Sequence, residues 1–136
     1  MDEENELLIG LRDRFEINQE MLRLLGRQDR VPQIMRALDV HLLSSRSEAY
    51  PNVLIEAMAC GVPCVTTDVG DARAMVADTG WVVDPADSDA LANALVTSLT
   101  MRPEELRDLG KRARDRVIRC YSIEKMVQSY QTLWTA

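Results

Sequence analysis

The chain has 136 residues, of which 46% are hydrophobic and 28% charged, with a formal net charge of −6 and a pI near 4.8. That length suits one domain with a real core, and the acidic balance argues against a nucleic-acid binder, whose affinity would rest on clustered Lys and Arg. No stretch approaches the roughly 20 apolar residues of a membrane span, and the acidic MDEENE start lacks the basic and apolar regions of a signal peptide, so a cytoplasmic location is expected.

Taken in chain order, the pattern alternates helices with short strands, which predicts an α/β domain with a mostly parallel sheet. Residues 3–16 read as a charged helix, and Met21 to Leu25 as a short apolar run ending at Gly26. Val31 to Leu38 reads as a helix opened by Pro32, Val40 to Leu43 as a strand, and Ser44 to Pro51 as a polar turn. Asn52 then opens a helix that Gly61 and Pro63 close, and Cys64 to Thr67 is the next strand. Val69 to Gly80 reads as a loop holding one helical turn, with Gly70 and Asp71 as a turn within it, and Trp81 to Val83 as a third strand.

The last third is helical. Asp87 and Ser88 are suited to cap a helix carrying Leu91, Leu95 and Leu99. Pro103 starts a second helix with Glu104 and Glu105 in its first turn and Arg114, Arg116 and Arg119 near its end, the charge order a helix dipole favours. Its apolar stripe is Leu106, Leu109, Ala113, Val117 and Cys120, and its six basic and four acidic side chains read as a mixed solvated face, with a membrane-surface helix as the competing reading. Ser122 caps a third helix whose Ile123, Met126, Val127, Tyr130, Leu133 and Trp134 form one face. The three cysteines, Cys60, Cys64 and Cys120, are odd in number and sit in apolar sequence, as reduced thiols do. With His41 the only histidine, no metal site is expected.

The chemistry concentrates between residues 44 and 66. Glu48 lies in the polar turn and Glu56 in a run otherwise apolar on every side, from Val53 to Ala59. Such a helix belongs in the interior, and a buried Glu requires a partner. That partner is either a ligand or an Arg such as Arg46 or Arg73, while Glu48 by itself reads as a solvated loop acid. Strand, turn and helix start together form a place where free N–H groups near Ala49 to Asn52 favour an anion. The two carboxylates are suited to accept from pairs of hydroxyls.

The segment SRSEAYPNVLIEAMACGVPCVTTDVGD resembles the donor-binding signature of the group 1 glycosyltransferases, retaining nucleotide-sugar enzymes of the GT-B fold with an E-x7-E motif. DRVPQIMRALDVHLLSS before it and DTGWVVDPADSDALANAL after it are similar to the flanking family elements, as is the ending RDLGKRARDRVIRCYSIEKMVQSYQTLW, so the resemblance covers residues 20 to 135. It implies a partial Rossmann-like three-layer domain with a short, mostly parallel sheet and C-terminal helices. Residues 1–136 would be an incomplete donor-binding domain, with the acceptor domain and the first part of the donor domain absent.

By the same resemblance Glu48 meets hydroxyls of the transferred sugar near the reaction centre, Glu56 holds the ribose, and backbone groups of Ala49, Tyr50, Pro51 and Asn52 face the diphosphate. Ala49 stands where family members usually carry Gly, and Gly70–Asp71 where a Gly-Gly turn is frequent. The donor is a nucleoside diphosphate sugar, with no metal and no further cofactor. The implied reaction moves the sugar to an acceptor hydroxyl with retention, and this chain alone is expected to be weakly active or inactive, because the Arg and Lys pair that neutralises the leaving group is not in it. The alternative is a non-catalytic α/β interaction module or a remnant of such an enzyme. Further partner expectations are the missing N-terminal acceptor domain, the inner face of a membrane as a peripheral contact, and self-association through Tyr130, Leu133 and Trp134.

Overall fold

The computed structural model describes residues 6–18 and 20–135, and the chain divides into two compact units, residues 1–31 and 32–136. In the first unit α1 (Glu6–Arg14) buries no residue. It is the charged helix expected from sequence, of which residues 3–5 lie outside the described residues, and the apolar run after it forms no regular element.

The second unit is built on three parallel strands, β1 (His41–Leu43), β2 (Cys64–Thr67) and β3 (Gly80–Val83), in the order β1-β2-β3. The register pairs His41 with Cys64 and Cys64 with Gly80. Parallel neighbours need crossovers, and α3 (Asn52–Ala59) and α4 (Ala72–Val76) supply them. The helix α2 (Val31–Arg36) precedes β1 and is two residues shorter than the sequence predicts.

All four residues of β2 are buried, as a strand covered on both faces requires. Successive side chains point to opposite faces. Cys64 lies toward α3, its Sγ 3.9 Å from the Leu54 carbonyl. Thr67 lines a hollow with Ser88 and Leu91 of α5 (Ser88–Leu99), so α5 covers the other face. This is the three-layer arrangement expected. Asp87 caps α5, accepting from the Ala90 N–H at 2.8 Å.

The long helix α6 (Pro103–Cys120) packs on α3 through Gly110, Ala113 and Val117. A Cβ at Gly110 would lie 3.0 Å from the Gly61 carbonyl carbon and closer still to its oxygen, so only glycine permits this approach. The basic face of α6 is largely exposed, as expected, but several of its arginines also bond the elements beside it. Arg114 donates to the Ala59 carbonyl at the end of α3. Arg116 donates to the carbonyls of Met75 at 2.8 Å and Ala74 at 2.6 Å in α4, where the Tyr121 hydroxyl adds a bond to Ala74 at 3.0 Å. Arg112 pairs with Asp78. Cys120, expected on the apolar stripe, is exposed. The last helix, α7 (Ile123–Trp134), is capped by Ser122 and buries no residue, so its apolar face, with Leu133 73% and Trp134 80% exposed, is open. Among the described residues no helix is long and apolar enough to cross a membrane.

Gly→Ala in a helix interior ordinarily stabilises by about 1 kcal/mol. At Gly110 the sign reverses: Gly110→Ala should lose about 1–3 kcal/mol in urea unfolding because α6 must move off Gly61. An alanine variant more stable than the parent would contradict this packing. His41 gives a second check. Its Nδ1 is buried with no hydrogen-bond partner among the described residues, and burial holds its pKa below the ordinary imidazole value. The unfolded chain therefore takes up the proton first as pH falls below about 6.5. The stability that neutral His41 contributes is complete above that value and is lost on acidification through the depressed folded value. Unfolding free energies measured from pH 7.5 to 5 should fall more steeply for the parent than for His41→Gln, which has no histidine left.

Candidate functional site

The carboxyl ends of β1 and β2 open onto the loop Ser44–Pro51 and the start of α3. Ligands of parallel α/β sheets bind at this end. A hollow of about 280 Å³ lies there, lined by Ser44, Arg46, Thr67, Asp87 and Ser88 among others. A larger, more apolar one of about 320 Å³ sits at the opposite ends of the strands, against Leu38, Pro63, Leu99 and Leu106. Neither Glu48 nor Glu56 lines it.

Glu48 is exposed in the loop, and the Ser45 hydroxyl donates to its Oε1 at 2.8 Å. The loop is fastened to the sheet by the Thr67 hydroxyl at the end of β2, which donates to the Ser45 carbonyl at 2.6 Å. Ala49 and Tyr50 continue the loop, exposed, and the Asn52 N–H closes a turn on the Tyr50 carbonyl at 2.9 Å. Burial first, then Tyr121 and the Asp71 carboxylate, push the Tyr50 phenol above its ordinary value, so it is a protonated donor at neutral pH. Pro51 is buried as the N-cap of α3, and no side chain caps that helix start.

Glu56 is where the sequence reading fails in part. An interior position was expected, yet Glu56 is exposed. Helix α3 buries only the face of Leu54, Ala57 and Met58, against the sheet, α4 and α6. Asn52 and Glu56, four residues apart and so on one face, both point to solvent. The structural ion pair is also absent: Arg73 is paired with Asp68 at 2.7 Å, and among the described residues neither Glu56 nor Arg46 has an ion-pair partner. Glu56 therefore stands one helical turn, about 6 Å, beyond the open start of α3.

Two contributors escaped the sequence reading. Thr67 carries no local signal beyond its place at a strand end. Gly70, weighed as an ordinary turn, has φ +50°, and a Cβ there would lie 2.6 Å from the Glu48 carbonyl oxygen and 2.7 Å from the Ala49 carbonyl carbon. The cysteines offer no nucleophile to this site: burial pushes the Cys64 thiol up to about 12, and Cys60 lies against the Pro32 carbonyl. Among the described residues no group of three or more His, Cys, Asp or Glu is placed to hold a metal ion.

The family model "Glycosyl transferases group 1" matches residues 3–101. The chain is 37% identical over 119 residues to an N-acetyl-alpha-D-glucosaminyl L-malate synthase of Bacillus anthracis, covering 85% of this chain and 31% of the relative. It is 26% identical over 136 residues to a UDP-Gal:alpha-D-GlcNAc-diphosphoundecaprenol alpha-1,3-galactosyltransferase of Escherichia coli, covering 96% of this chain and 35% of the relative. Among solved structures, a sucrose-phosphate synthase from Thermosynechococcus elongatus superposes with a TM-score of 0.84 at 32% identity, over 96% of this chain and 34% of that one. HepE of Anabaena, solved in complex with UDP, does so with a TM-score of 0.84 at 25% identity, over 96% of this chain and 36% of that one. The chain thus spans about a third of the length of the curated relatives it matches.

Proposed function

Because the chain belongs to the group 1 glycosyl transferases, we propose that it supplies the donor-binding part of an enzyme that moves a sugar from a nucleoside diphosphate sugar to an acceptor hydroxyl with retention. The observation that carries this reading is the pair Glu48 and Glu56, both exposed and free of ion pairs among the described residues, on either side of the uncapped start of α3. Exposed carboxylates are acceptors in waiting, and an open helix start favours an anion. In this reading Glu48 accepts from hydroxyls of the transferred sugar and Glu56 from the ribose. Backbone groups of Ala49, Tyr50, Pro51 and Asn52 lie along the diphosphate. The UDP held by HepE supports a nucleotide in this role. The remainder of the enzyme, with the acceptor site and a basic clamp on the leaving phosphate, would complete the reaction. Peripheral contact with a membrane rests only on the surface charges that Arg112, Arg114 and Arg116 leave uncommitted.

The test is titration calorimetry of the chain with UDP, UDP-galactose, GDP and GDP-mannose. Saturable binding to one nucleotide is expected, weakened about 10–100-fold in Glu56→Ala by loss of hydrogen bonds to a charged group. No binding to any of the four would sink the reading and leave the non-catalytic module in its place. The open face of α7 supports self-association of the chain as it stands. Sedimentation should show a concentration-dependent dimer, which Leu133→Glu with Trp134→Glu converts to monomer; a monomer at every concentration would refute this second proposal.

A further inference from the structure

Glu48 projects from a loop without regular secondary structure. An exposed loop carboxylate ordinarily samples several orientations, and ordering it on binding costs affinity. Here three contacts remove much of that freedom beforehand. Thr67, 4% exposed at the end of β2, holds the Ser45 carbonyl at 2.6 Å. The Ser45 hydroxyl holds one carboxylate oxygen of Glu48 at 2.8 Å, leaving the other oxygen open. On the far side Gly70 presses its bare Cα against the Glu48–Ala49 carbonyls, where any side chain would push the loop outward.

We infer that Thr67, Ser45 and Gly70 are positioning residues for Glu48, and that they govern how tightly the transferred sugar, as distinct from the nucleotide, is held. This rests on the donor-binding reading above. Separation of the two effects follows from how the two carboxylates are carried. Glu56 sits on α3, which is fixed by the burial of Leu54, Ala57 and Met58 and by Arg114 on the Ala59 carbonyl, a set that includes none of the three positioning residues. Disturbing the Glu48 loop therefore leaves the ribose acceptor in place.

The experiment compares the parent chain with Gly70→Ala, Ser45→Ala, Thr67→Val and Thr67→Ser, using the nucleotide and nucleotide-sugar pair that the parent binds, UDP with UDP-galactose or GDP with GDP-mannose. Gly70→Ala and Thr67→Val should lose about tenfold more affinity for the nucleotide sugar than for the free nucleotide, whose diphosphate also meets this loop at Ala49 and Tyr50. Ser45→Ala should show the same split to a smaller degree, and Thr67→Ser, which keeps the hydroxyl, should restore parental affinity. Amide hydrogen exchange over residues 46–50 without ligand should quicken in Thr67→Val. Equal losses for both ligands, or unchanged nucleotide-sugar affinity in all the variants, would overturn the inference while the donor-binding reading survived. Failure of the parent to bind either pair would overturn both. Should Gly70→Ala not fold, Ser45→Ala, Thr67→Val and Thr67→Ser decide the matter by the same criterion.

Discussion

The carbonyl groups at the carboxyl ends of α3 and α4 are the constraint on which this domain depends. A helix leaves four such groups without internal partners, and in helices of eight and five residues that is half of the one and most of the other. Neither would persist alone, because so short a helix does not recover its nucleation cost. The backbone after each helix meets some of them, and α6 with its C-cap residue Tyr121 supplies donors to others: Arg114 for Ala59 of α3, Arg116 and Tyr121 for Ala74 and Met75 of α4. The close Gly110–Gly61 approach brings α6 near enough to deliver them. Fixed at their far ends, α3 and α4 are free to direct their starts toward the lip of the sheet, where Glu48, Gly70 and the start of α3 without a side-chain cap gather. The same side chains that seemed solvent decoration in the sequence therefore set the geometry of the lip.

Much of this architecture was legible in the sequence. The strands Cys64–Thr67 and Gly80–Val83, the Asp87 and Ser122 caps, and the three C-terminal helices follow from local pattern, because turn residues, caps and apolar periodicity act over a few positions. The arginine clamps do not. They join residues 41 to 55 apart in sequence, and no short-range signal announces which carbonyl an arginine will meet. Gly70 was visible as a turn residue, but the backbone it abuts lies more than twenty positions away. A spacing rule has no access to that contact.

The misreading of Glu56 has a different cause. Apolar residues on all sides of Asn52–Ala59 predict burial all round, yet enclosure depends on how many neighbours the helix has. Here the sheet, α4 and α6 cover one face, and half-buried Val53 and Ile55 border the side that carries Glu56. The apolar surround thus belongs to the rim of a site as much as to a core. A carboxylate displayed on such a rim keeps its charge in water until a ligand arrives, which avoids the desolvation cost a buried acid would carry in the empty protein.

Helix α7 stands apart from the rest of the domain energetically. Its twelve residues bury nothing, and the Ser122 cap and the Tyr130–Trp134 ring contact at 5.8 Å are local to it. A helix of that length, with Met126 and Val127 only half covered, lies close to the helix–coil balance point in water. Formation of the helix and occupation of its apolar face are then thermodynamically linked. Any surface that covers Leu133 and Trp134 recruits helical order as it binds, and its net affinity is lowered by the free energy of that ordering. Circular dichroism would therefore register the occupant of the face as a gain in helix, a spectroscopic signature carried by the last turnings of the chain rather than by its carboxylates.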